Sequence, residues 1–214
     1  MNEINQKIYE NLELWPEDTD GWGGNDSIFE EMISMSLPSV VVEIGSWKGQ
    51  STINMGKILK KLGLKHTKIY AIDTWLGATE FWTTHKDTPE RNLHLKNGYP
   101  QIYYQFLSNV VHNNLQDTII PITNTSITGL KILKHHAIKP ELVYIDASHE
   151  EEDVYADLKY SFDMVEKGIV FGHDYDWCAG VKSAVDRFAN ENRLRLESKA
   201  AFWFIKKLKY PQKK

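Results

Sequence analysis

Between Val40 and Asn190 short apolar runs alternate with longer segments of helical spacing, and few folds accommodate that rhythm. Val40-Val41-Val42-Glu43-Ile44 is short, β-branched and followed by glycine, the pattern of a strand buried on both faces. Residues 51–62 then place apolar side chains at helical intervals and stop at Gly63. Further strands are predicted at 68–73, 118–122, 141–146 and 168–172, and further helices at 150–165 and 180–190. Residues 193–197 and 201–205 are strand-like around Ser198-Lys199-Ala200. That connection is too short for a crossover helix, so the two runs pair antiparallel. The expected fold is α/β: a mostly parallel seven-stranded sheet with helices on both faces and a C-terminal antiparallel hairpin. In such sheets ligands bind beyond the carboxyl ends of the strands, where strand order reverses.

A chain of 214 residues fits one domain, here 1–214, and 42% hydrophobic residues suffice for a full core. Residues 1–38 read as an N-terminal helical segment, with a helix over 4–14 and a second starting near Asn25 or Asp26, both good N-caps. Residues 74–98 interrupt the alternation and carry Trp75, Phe81, Trp82, His85 and His94. They read as an active-site lid, with a plain surface insertion as the alternative. The aromatic run from Tyr99 to Phe106 has helical spacing and reads as core or dimer contact rather than substrate wall.

The net charge of −4 argues against nucleic acid as a partner. The tail residues Lys206, Lys207, Lys209, Lys213 and Lys214 read as a solvated end. No run is long enough to span a membrane, and the start lacks the basic and apolar regions of a signal peptide, so a cytoplasmic location is expected. The lone cysteine, Cys178, excludes an intrachain disulfide and reads as a buried, inert thiol. A homo-oligomer is compatible with the exposed aromatic segments.

Chemistry concentrates at the strand ends. After the first strand, Gly45 and Gly49 permit backbone angles barred to other residues and let a ligand approach the following helix start. The second strand ends in Asp73, placed to accept both ribose hydroxyls of an adenosine, each bond worth roughly 1.5–3 kcal/mol. The fourth and fifth strands end in Asp146-Ala-Ser-His149 and Gly172-His173-Asp174-Tyr175. Two carboxylates and an imidazole suit a divalent ion, and the remaining imidazole suits a proton acceptor. Asp146 and Asp174 acting only as helix caps is the alternative.

Glu43-Ile-Gly45-Ser-Trp47-Lys-Gly49-Gln-Ser51-Thr52, Ile72-Asp73-Thr74-Trp75, Tyr144-Ile-Asp146-Ala-Ser-His149 and Gly172-His173-Asp174-Tyr175, with Gly180-Val-Lys-Ser-Ala-Val185, resemble class I S-adenosylmethionine-dependent methyltransferases. The resemblance spans residues 40–188 and includes the hairpin. Within that class the chain is similar to the branch of macrocin-type sugar O-methyltransferases and cephalosporin-hydroxylase-like proteins. The resemblance implies a Rossmann-like fold, with Gly45, Ser46 and Gly49 against the methionine half of S-adenosylmethionine. Asp73 would hold the ribose, with Trp75 and Ser126 near the adenine. Glu43, Trp47, Ser51 and Asp146 complete the implied cofactor set. Asp146, His173 and Asp174 stand where metal-dependent members keep their ligands, for Mg2+ or another divalent cation, and His149 where they keep a candidate base. Two departures stand out: Trp47 replaces the middle glycine, and His173 replaces what is more often a carboxylate, which makes the donor set softer than magnesium prefers.

The expected reaction is methyl transfer to a hydroxyl of a small molecule, a sugar or glycosylated metabolite, with His149 and Asp146 as catalytic residues. A nicotinamide-dependent oxidoreductase is the first rival, weakened by the lack of Gly-x-Gly-x-x-Gly. A non-catalytic S-adenosylmethionine-binding protein is the second.

Overall fold

A computed structural model describes residues 7–83 and 93–208. Among these, seven strands form one sheet in the order β3-β2-β1-β4-β5-β7-β6. The strands are β1 (Val40–Ile44), β2 (Lys68–Asp73), β3 (Ile119–Thr123), β4 (Leu142–Ile145), β5 (Gly168–Gly172), β6 (Leu196–Lys199) and β7 (Phe202–Lys207). Strands β1 to β5 pair in parallel, and β7 runs antiparallel between β5 and β6. The helices are α1 (Ile28–Ser36), α2 (Gln50–Lys61), α3 (Thr79–Thr83), α4 (Ile102–His112), α5 (Ser126–His135), α6 (Glu151–Met164) and α7 (Ala179–Glu191).

Side chains alternate across a strand, and here both faces are apolar. Val41, Ile69, Ala71, Ile119, Leu142 and Tyr144 enter one core with α1, α2 and α4. Their neighbours Val42, Tyr70, Ile72, Ile120 and Val143 enter the other with α5, α6 and α7. Strand order reverses between β2 and β4, on either side of β1, which fixes where the carboxyl ends can enclose a ligand.

Two expectations shift. The hairpin turn falls on Ala200 and Ala201, with Lys199 paired to Phe202, so β6 starts later than predicted. The helix predicted over 4–14 is a turn at residues 8–11, and residues 12–20 run without helix; residues 4–6 lie outside the described ones. Just beyond the turn, side chains of α4 hold the backbone of residues 15–18. Ser108 Oγ accepts from Trp15 N (3.0 Å), Asn109 Oδ1 from Asp18 N (3.0 Å), and Gln105 Nε2 donates to the Pro16 carbonyl (2.8 Å). Gln105, Ser108 and Asn109 are all buried, so residues 12–24 form a fixed strap rather than a loose end. The helix expected near Asp26 forms as α1, with Asp26 Oδ1 accepting from Ile28 N at 2.8 Å. Of the aromatic run expected in the core, Ile102 and Phe106 are buried, whereas Tyr99 and Tyr104 are exposed. His85, Lys209, Lys213 and Lys214 lie outside the described residues, as does 84–92 of the predicted lid. No helix among the described residues is long and apolar enough to cross a membrane.

Candidate active site

The turn after β1 is built around Gly45. Its φ is +86°, and a Cβ there would stand 2.0 Å from the Asp146 carbonyl oxygen, so only glycine lets the ends of β1 and β4 meet. Trp47 also adopts a left-handed φ, of +48°, which is how the turn accommodates a tryptophan where the family pattern has glycine. Asp73 clamps the turn: its Oδ2 accepts from Ser46 N (2.9 Å) and Trp47 N (2.8 Å), and its Oδ1 from Trp75 N (2.7 Å). Burial raises its carboxyl above the ordinary value, against the pull of these N–H groups.

Beneath the turn Glu43 is fully enclosed and accepts from the hydroxyls of Ser46 (2.9 Å), Ser51 (2.6 Å) and Thr52. Burial pushes its carboxyl up to about 7, despite those three donors. Gly49 heads α2, and its Cβ position faces the Phe106 ring. Trp75, 1% exposed, packs on Tyr103 and Phe106 and donates its indole N–H to the Trp47 carbonyl at 2.8 Å. Glu43, Gly49 and Trp75 therefore brace the turn from behind and do not line the cleft, contrary to the expectation that they touch the ligand.

The cleft itself encloses about 800 Å³ at the carboxyl ends of the strands, within the roughly 300–1,000 Å³ usual for small-molecule sites. Gly45, Ser46, Trp47, Ser51, Asp73, Ser126, Asp146, His149, His173 and Asp174 all border it, so the structure brings ten of the expected site residues together.

At one end Ser126, first residue of α5, shares a hydrogen bond with Asp157 of α6, whose carboxyl burial pushes up to about 7. Sequence reasoning passed over Asp157. The signal was present: it is an acid within the inward-facing spacing of the apolar Val154, Leu158 and Met164 of α6. The N-terminal strap was also missed. Gln50 holds it by accepting from Gly24 N (2.9 Å) and donating to the Thr19 carbonyl (3.1 Å). Trp22 stacks on Phe81 (6.2 Å), which packs on Trp47 (4.6 Å), giving the cleft an aromatic wall.

At the other end the acids and imidazoles interlock. Tyr144 donates its hydroxyl to Asp146 Oδ2 at 2.7 Å. Burial and the nearby charge of Asp174 raise Asp146 to about 6. Asp174 has a left-handed φ of +62°, and its two oxygens face different imidazoles: His173 Nδ1 at 3.1 Å and His149 Nε2 at 3.0 Å. Although burial opposes ionisation, those imidazoles hold the Asp174 carboxyl far below the usual carboxylate range. His173 is buried, which disfavours its charged form, yet Asp174 and Asp146 together raise it. Asp146, His173 and Asp174 each offer a donor atom, all within 4.8 Å of one another, a spacing that fits one cation. Cys178 was expected to be buried; it is partly exposed and lies beside this cluster.

Residues 42–175 match a sequence profile described as "Methyltransferase domain". No curated protein sequence matches the chain. Among solved structures, the O-methyltransferase NovP aligns with a TM-score of 0.64 at 16% identity, over 85% of this chain and 78% of its own. CalS11, a calicheamicin methyltransferase, aligns at 0.61 and 15% identity, over 84% and 76%. The O-methyltransferase from Bacillus cereus in complex with SAH aligns at 0.59 and 14% identity, over 96% and 90%. At these identities the likeness is one of fold.

Proposed function

This chain belongs to the family of methyltransferase domains and is an S-adenosylmethionine-dependent methyltransferase, and on that premise we propose that it methylates a hydroxyl oxygen of a small molecule. The observation that carries the reading is that one cleft joins a glycine turn clamped by Asp73 to the interlocked carboxyls and imidazoles that follow β4 and β5. The similar O-methyltransferase structures support oxygen as the acceptor atom. That the two cores share one sheet supports reading 1–214 as a single domain. Gly77, Ala78 and Phe81 at the cleft edge support 74–98 as its lid.

In this reading Gly45, Ser46 and Ser51 receive the methionine half of the cofactor, Asp73 the ribose, and Ser126, backed by Asp157, the base. S-adenosylmethionine supplies an activated methyl group, and a divalent ion on Asp146, His173 and Asp174 would lower the pKa of an acceptor hydroxyl. The protein must still align that oxygen with the methyl carbon and remove its proton. His149 takes the proton. Its Nε2 faces Asp174 Oδ2, so the neutral ring keeps its hydrogen on Nε2 and its lone pair on Nδ1. Asp174 orients the imidazole and favours its charged form as the proton arrives. The strap and the Trp22–Phe81–Trp47 wall exclude water from the reacting atoms.

The test is turnover with S-adenosylmethionine against a panel of hydroxylated sugars and phenols, following S-adenosylhomocysteine and the product mass. Formation of a methyl ether, lost on chelation and restored by a divalent cation, is the expected result. Transfer only to amines or carboxylates would overturn the acceptor assignment, and turnover indifferent to chelation would remove the ion.

A further inference from the structure

The strand-end cluster holds more donor atoms than methyl transfer requires. His149, Asp174 and Cys178 each offer one, an imidazole nitrogen, a carboxylate oxygen and a sulfur, all within 4.8 Å of one another. Two local features force this meeting. Trp177 N and Cys178 N both donate to the Asp174 carbonyl (3.1 and 2.9 Å), which folds the turn after β5 so that Cys178, the N-cap of α7, returns to Asp174. Gly180 then lets the loop after β4 press on the first turn of α7, since a Cβ there would stand 2.2 Å from the His149 carbonyl oxygen. His149 is thereby held over the same turn.

We propose that His149, Asp174 and Cys178 form a binding site for a borderline divalent ion of the zinc type. Magnesium demands oxygen ligands and water, whereas one nitrogen, one oxygen and one sulfur are the donors that zinc takes in tetrahedral sites with an open fourth position. The distances need little adjustment. Ligands at about 2.0–2.1 Å from a tetrahedral ion lie roughly 3.3 Å apart, and His149 Nε2 is already 3.0 Å from Asp174 Oδ2. The sulfur edge, at most 4.8 Å, closes to about 3.6 Å by rotation of the cysteine side chain. The ligand set differs from Asp146, His173 and Asp174 and shares only Asp174, whose second oxygen faces His173.

One consequence rests on the functional reading above. An imidazole bound to zinc cannot accept a proton, so zinc here inhibits methyl transfer without displacing the cofactor. The binding site itself does not depend on that reading.

Cobalt(II) titrated into the chelator-stripped protein tests it, because a cysteine thiolate on cobalt gives a near-ultraviolet charge-transfer band. The wild type should show a band that saturates as cobalt is added, and zinc should abolish it. Cys178→Ser should lack the band, and His149→Ala should bind zinc at least tenfold more weakly. Each variant is checked for folding by its thermal midpoint and by S-adenosylhomocysteine titration. Cobalt binding without the band, or Cys178→Ser binding zinc as tightly as the wild type, would overturn the site. A protein that binds zinc but no S-adenosylhomocysteine would leave the site standing and remove the cofactor placement; the opposite pattern would do the reverse.

Discussion

Glu43 shows how a single buried acid can set a pH dependence from behind the cleft wall. Its carboxyl ordinarily titrates near 4.5, and burial lifts it to about 7 in the folded protein. Between those values the unfolded chain has released its proton while the folded chain retains it. The unfolded state then binds fewer protons, so stability falls as pH rises from about 4.5 to about 7 and is level above that. Glu43→Gln should flatten this part of the curve of thermal midpoint against pH; a slope equal to that of the wild type would contradict the assignment. His149 is tested through rate instead. His149→Ala should lower kcat by about 10²–10⁴-fold while leaving the affinity for S-adenosylmethionine within a few-fold of wild type. An undiminished kcat would exclude it as the base. Neither residue behaves as its place in the family motif suggests at first sight. Glu43 supports the turn from below, and His149 is bonded to Asp174 with Cys178 nearby.

Elements with their own hydrophobic pattern were legible before any coordinates, and the N-terminal strap was not. Strands β2 and β5 fall on the predicted residues, because burial on both faces writes a near-continuous apolar run into each. The strap owes its path to partners some ninety residues away. Asn109 of α4 accepts from Asp18 N and donates to the carbonyls of Asp18 (2.6 Å) and Lys48 (2.8 Å). Lys48, nearly inaccessible at 1% exposure, adds an ion pair to Asp18 at 2.6 Å. No local pattern encodes such bonds. Asn109→Ala should cost about 1–3 kcal/mol of stability and expose residues 12–20 to faster proteolysis than the wild type. Unchanged cleavage would mean that the strap is held by other contacts. Asp157 does interrupt the buried stripe of α6, but its partner Ser126 is known only once α5 packs on α6.

For the whole molecule, the decisive fact is that β1, β2, β4 and β5 deliver their carboxyl ends to one edge in an order that reverses around β1. The alternation of strands and helices made that edge predictable, and with it the convergence of Asp73, Asp146, His149, His173 and Asp174. Which of the motif residues would face the cleft and which would brace it from behind depended on packing. Trp75 turned inward to Tyr103 and Phe106, a contact that spacing along the chain does not report. Cofactor binding at this edge can be read directly by calorimetric titration of S-adenosylhomocysteine into the wild type and Asp73→Ala. Saturable binding at one per chain, weakened by at least about tenfold in a variant that still unfolds cooperatively, is the predicted result. A folded Asp73→Ala protein that binds as tightly as the wild type would contradict it.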